Sequence, residues 1–128
     1  MPYDKNTSPV GWYVGSYLLR FVRTEASGNN DPGRRFLSWE NTVLVKARSL
    51  DQAYAKVERL GRAKTLSYRG GPKDIPVRWI FEGVTDLLPL YERLRDGAEI
   101  MWTERSPRTL RSLRGLVKTK AKLLQPLR

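Results

Sequence analysis

The chain lacks the two side chains that most often carry chemistry at neutral pH. It contains no histidine, which removes the usual general base, the usual metal-ligating imidazole and any Ser-His-Asp triad. It contains no cysteine, which removes disulfides, thiol nucleophiles and Cys/His zinc sites. No metal and no cofactor are therefore expected. Long apolar runs are also missing: nothing approaches the roughly 18–20 residues needed to cross a bilayer. The stretch from Met1 to Pro9 has no apolar core of a secretory signal, so a cytoplasmic protein without a membrane span is expected. Internal repeats and low-complexity segments are absent. Gly70-Gly71 is not followed by a helix start with Lys-Ser/Thr, so it is no phosphate loop. Acidic residues are missing from one region only, residues 106–128, which hold seven of the 24 Lys and Arg and none of the 13 Asp and Glu. The rest of the chain is only mildly basic, so an acidic partner, where there is one, is expected at the tail.

What remains is the composition of one small folded domain. A loose arm is expected over residues 1–10, an α+β domain over 11–105 and a basic helical extension over 106–128. From Trp12 to Phe21 the odd positions Tyr13, Gly15, Tyr17, Leu19 and Phe21 form the better core face, the period-two signature of a strand. The turn-rich stretch Ala26–Gly33 reads as a loop. A second strand follows over about Leu37 to Arg48, antiparallel to the first. Ser49-Leu50-Asp51-Gln52 matches a capping box. Leu50, Ala53, Tyr54, Val57 and Leu60 then form one apolar helical stripe, and Gly61 stands where a left-handed helix end is expected.

Thr65–Arg69 and Pro76–Val84 read as a strand pair around a turn at residues 70–74. Asp86–Arg95 suits a short helix, although Pro89 interrupts it. Asp96-Gly97 is a turn signal and Ala98–Thr103 a last strand. Ser106-Pro107 opens a basic C-terminal helix, with Leu110, Leu113, Val117 and Leu124 on one face and Pro126 at its end. The order β-β-α-β-β-β plus that helix indicates a small, mostly antiparallel sheet with one packed helix.

The available chemistry is modest. Glu40, Glu82, Asp86, Asp96 and Glu99 are the candidate catalytic carboxylates, but no spacing pairs them, and exposed acids are the rule. No catalytic residue is assigned, and a non-enzymatic domain is expected. Trp12, Trp39, Trp79 and Trp102 fall in predicted strands as core or sheet-face residues. Trp39 is the exception. It stands at a strand entrance near Arg34 and Arg35, where an aromatic could anchor a protein partner. In the tail, Arg108, Arg111, Arg114, Lys118, Lys120 and Lys122 could meet nucleic-acid phosphates, or simply face water above a helix docked by its leucines. The docked arrangement is the one expected.

Five segments together resemble a known family. They are Trp12-Tyr13, the strand Glu40–Ala47, Ala53-Tyr54 and Lys56 followed by Leu60-Gly61, the strand Trp79–Val84, and Asp96–Ile100. In order and spacing they resemble a bacterial family known as domain of unknown function 4288, over about residues 11–105. The resemblance implies a small bacterial cytoplasmic α+β protein and carries over no catalytic or binding residue. The expected role is therefore a macromolecular interaction module with a protein partner, through an exposed sheet edge or the Trp39 side. The alternative is non-specific nucleic-acid binding through the tail.

Overall fold

In the computed structural model, which describes residues 4–65, 67–70 and 75–124, the period-two segment Trp12–Arg23 is strand β1. It is followed by β2 (Ser38–Lys46), α1 (Leu50–Arg62), β3 (Ser67–Gly70), β4 (Ile75–Pro89), α2 (Leu110–Gly115) and α3 (Lys120–Leu123). The strands form one sheet in the order β2-β1-β4-β3, with every neighbouring pair antiparallel. The α+β class expected from the sequence is found. β1 is internal, and Tyr13, Val14, Ser16 and Tyr17 are all buried although they alternate between faces. A strand covered on both sides has no reason to alternate, which explains the mixed even positions of its sequence.

α1 crosses the sheet on the side of Gly15. Its cap is the expected one: the Ser49 hydroxyl accepts the Gln52 N–H at 3.1 Å. The Gln52 side chain reaches back to the Arg48 N–H at 2.7 Å, one residue before the cap. The stripe is narrower than expected. Ala53, Val57 and Gly61 are buried, while Tyr54 and Leu60 remain 46% and 43% exposed. The buried row has spacing four and small side chains, so the helix axis comes close to the sheet and the bulkier flanks stand clear. Gly61 is not a left-handed end. The helix continues through it to a cap at Ala63, and Gly61 serves close approach instead. A Cβ there would stand 2.4 Å from Phe81 Cε1 and 3.0 Å from Tyr17 Cγ. Gly15 does the same on the sheet, where a Cβ would stand 2.4 Å from Val57 Cγ2.

Three expectations are corrected along β4 and beyond. The short helix expected over Asp86–Arg95 is not formed, because β4 runs on to Pro89. Leu87 lies opposite Gly15 and Leu88 opposite Val14, so the leucines alternate across the sheet instead of sharing a helical face. The register slips twice, between Ser16/Tyr17 and between Leu18/Leu19, as β-bulges do. The strand expected over Ala98–Thr103 has no regular structure. The turn before it is present, closed by the Ala98 N–H on the Arg95 carbonyl at 3.0 Å. The tail is not one helix opened by Ser106-Pro107: Thr109 caps α2 and Thr119 caps α3. The expected turn from residue 71 to 74 and the stop at Pro126 lie outside the described residues.

Residues 4–10, expected as a loose arm, are tied to the sheet through Ser8, which is buried. Its hydroxyl donates to the Leu90 carbonyl and accepts the N–H groups of Val10 and Trp12, each at 3.2 Å. Its own N–H donates to the Tyr13 hydroxyl at 3.0 Å. Nearby, the Tyr91 hydroxyl donates to the Lys5 carbonyl. Asp4 has its carboxyl held below the ordinary value by the Thr7 hydroxyl and, to a smaller degree, the Asn6 N–H.

Candidate interaction surface

β2 is an outer strand of the sheet, with β1 on one side and no strand among the described residues on the other. Its hydrogen bonding alternates. The Phe21 N–H meets the Leu37 carbonyl at 2.9 Å, and the Ala47 N–H meets the Gly11 carbonyl at 3.0 Å. In the antiparallel ladder that joins these points, the odd residues Trp39 to Val45 direct their backbone groups to β1. The even residues Ser38, Glu40, Thr42, Leu44 and Lys46 direct theirs outward. The Lys46 carbonyl shows this directly, since the Lys56 ammonium reaches it from α1. The five even residues are all exposed, and Leu44 is open to 43%.

On the α1 side of the sheet, Trp39 lies opposite Leu19. Its ring leans across β1 onto Trp79 of β4, with centroids 4.8 Å apart and planes at 36°. Phe21 meets Trp79 edge-on, with centroids 5.1 Å apart. Phe81 continues the row under the Arg62 guanidinium, at 4.9 Å. The result is an aromatic shelf beside the C-terminal end of α1, in which Trp39 is still 55% exposed.

The basic pair expected beside Trp39 is arranged differently. Arg34 is drawn into its own loop, donating to the Ser27 carbonyl at 2.6 Å and lying 5.3 Å from the Phe36 ring centre. Arg20 covers the same ring at 4.7 Å and holds the Asn29 carbonyl and the Glu82 carboxylate. Arg35 is exposed. The ring that Trp39 meets is Trp79, which in turn meets Phe21; sequence reasoning placed both in strands without joining them to Trp39. The usable signal was parity, since all three are odd positions of adjoining strands.

The candidate carboxylates are dispersed over different roles. Glu82 is paired with Arg20, Asp86 accepts the Leu87 N–H at 3.0 Å, and Glu40 lies opposite Leu18 on the outer strand. Asp96 is in the turn before Gly97. Glu99 borders a hollow of about 30 Å³ with Leu88, Glu92 and Trp102, a space for about one water.

In the tail, Arg108, Arg111, Arg114, Lys118, Lys120 and Lys122 are all exposed. So are Leu110, Leu113, Val117, Leu123 and Leu124, so the leucines do not dock the tail as expected.

A family model described as Domain of unknown function (DUF4288) matches residues 12–102. The chain belongs to the DUF4288 family. The match spans every element from β1 to the segment after β4, and the resemblance seen in the sequence is thereby established. Ser8 and the tail of this DUF4288 chain lie outside it. No curated protein and no solved structure matches. Among the described residues, no helix is long and apolar enough to cross a membrane.

Proposed function

We propose that this DUF4288 domain is a non-enzymatic protein-interaction module of the cytoplasm. It recognises an extended polypeptide segment, which adds as a strand to the outer edge of β2. The observation that carries the reading is the edge itself: five outward-facing residues of a nine-residue strand, all exposed. Such a row of backbone donors and acceptors is a template for another strand. Edge strands that avoid partners are usually short, bulged or broken by proline. β2 contains no proline, and its register against β1 is unbroken. The aromatic shelf at Trp39 offers a side-chain anchor at one end of the same strand. The missing His and Cys, and the engagement of Glu82 by Arg20, support the non-enzymatic part.

Hydrogen exchange measured residue by residue tests this reading. In the dilute chain alone, the amides of Glu40, Thr42 and Leu44 should exchange fast, and those of Asn41, Val43 and Val45 slowly. A bound partner should protect the fast set. Protection elsewhere, with the fast set unchanged, would sink the reading.

A second reading has its own observation. Of the six exposed tail cations, Arg111, Arg114, Lys120 and Lys122 stand on α2 and α3, whose leucines are also exposed, and Arg108 and Lys118 lie just outside these helices, which suits a basic arm contacting phosphates.

A further inference from the structure

The charges along β2 say which strand fits its edge. We propose that the partner is a second copy of this chain, joined antiparallel through β2 with the two-fold axis at Val43; this rests on the strand-addition reading above. In that register Thr42 lies opposite Leu44 of the other copy, and Glu40 lies opposite Lys46. Both pairs join outward-facing residues, which is the condition for exchanging backbone hydrogen bonds across an antiparallel junction.

Glu40 and Lys46 are the two charged residues of the strand, and the two-fold repeats their pairing at both ends of the junction. Opposite charges directly across strands are favourable and like charges are not. The contact is self-complementary, as a closed dimer requires. Leu44, now open to solvent, gains cover from Thr42 of the other copy. On the other face, the half-buried Val43 meets its own copy. A shift of the axis to Leu44 would put Lys46 opposite Thr42 and Glu40 opposite Arg48, beyond the end of the strand. A shift to Thr42 would put Glu40 opposite Leu44. Only the Val43 axis pairs the two charges with each other. The Lys46 carbonyl, now held by the Lys56 side chain, takes the backbone N–H of Glu40 in the dimer, and the flexible lysine withdraws or shares it.

The full chain should show a dimer mass by light scattering at high micromolar concentration. Glu40→Lys alone, or Lys46→Glu alone, should raise the dissociation constant about tenfold or more by setting like charges opposite each other. The combined Glu40→Lys/Lys46→Glu chain should recover the dimer. Recovery depends on the pairing and not on the fold of either variant. Because the chain has no native cysteine, Val43→Cys reads the axis directly. Facing non-hydrogen-bonded residues have Cα atoms about 4.5 Å apart, within the roughly 4.4–6.8 Å that a disulfide spans. Oxidation should link this variant into dimers, whereas Asn41→Cys, which faces Val45, should stay unlinked. A monomer mass for the wild-type chain, or a double reversal no better than the single ones, would overturn the proposal. Equal linking of Asn41→Cys and Val43→Cys would overturn it as well. A monomeric chain whose Glu40, Thr42 and Leu44 amides are still protected by another protein would remove the self-pairing and leave strand addition standing.

Discussion

Gly61 of α1 presses its bare Cα against the Phe81 ring: a methyl group there would stand 2.4 Å from Cε1. The contact fixes how near the helix can come to the sheet. Gly61→Ala gains helix propensity, about 1 kcal/mol, yet must displace the Phe81 and Tyr17 rings, at a typical cost of about 1–3 kcal/mol. The net effect should be a lower urea midpoint. A midpoint equal to or above wild type would show that Phe81 yields freely.

Val57 and Tyr54 were expected to share one buried stripe, and the structure separates them. Val57→Asp places an unpaired charge at a fully buried position and should cost several kcal/mol. Tyr54→Ala, at a half-open position, should cost much less. Paired denaturation curves for the two variants check this. Equal losses would contradict the narrow buried row of the helix.

Ser8 offers a test outside the segment shared with the family. Ser8→Ala removes a donor to the Leu90 carbonyl and the acceptor for two backbone N–H groups. Leaving such groups unpaired costs about 1–3 kcal/mol where they are buried. Thermal unfolding should shift down by several degrees, about 4–8 °C per kcal/mol for a small domain. An unchanged transition would mean that the residues before β1 contribute nothing to stability.

Deleting residues 106–128 should leave the fold intact, since the tail leucines are already exposed. Leu113→Ala should likewise be nearly silent. If the tail is a phosphate-binding arm, the full chain should bind nucleic acid with a steep salt dependence, a log–log slope of about −0.7 to −0.9 per neutralised phosphate, and the shortened chain should not. A shortened chain that unfolds early would restore the docked arrangement.

The elements legible in the sequence were those specified by neighbours along the chain. Ser49 and Gln52 mark a helix start by local hydrogen bonding, and the odd-numbered aromatics of β1 mark a strand. The errors came where distant contacts decide. Leu87, Leu90, Tyr91 and Leu94 have helical spacing, but pairing of Leu87 and Leu88 with Gly15 and Val14 of β1 holds the chain extended to Pro89. There the missing N–H of proline is harmless because Pro89, opposite Tyr13, falls between ladder bonds, and the next N–H, that of Leu90, meets the Trp12 carbonyl at 2.8 Å. Gly61 looked like a helix end because that is the commonest use of glycine near a helix terminus, and the ring that needs its space is twenty residues away. The tail followed one leucine pattern on paper, but Thr109 and Thr119 each start their own turn. For the candidate surface, Trp39 was found by its exposed-looking setting. The shelf beneath it was not, because Trp79 and Phe21 reach it only through the strand order.

The place of β1 in the middle of the sheet also has a consequence in time. The chain is made from the N-terminus, so β1 can pair with β2 early, but its other edge waits for β4. The nearest pair in that ladder is Arg23 with Val77, and the farthest is Tyr13 with Pro89. Until β4 leaves the ribosome, the nascent chain carries a central strand rich in tyrosine and leucine with one side unpaired. Such a strand is exposed to wrong pairings. Closure over so long a separation is also the slow kind of folding event. This domain therefore completes its core only after β4 has emerged, and a helper that shelters nascent strands would have its main effect in that interval.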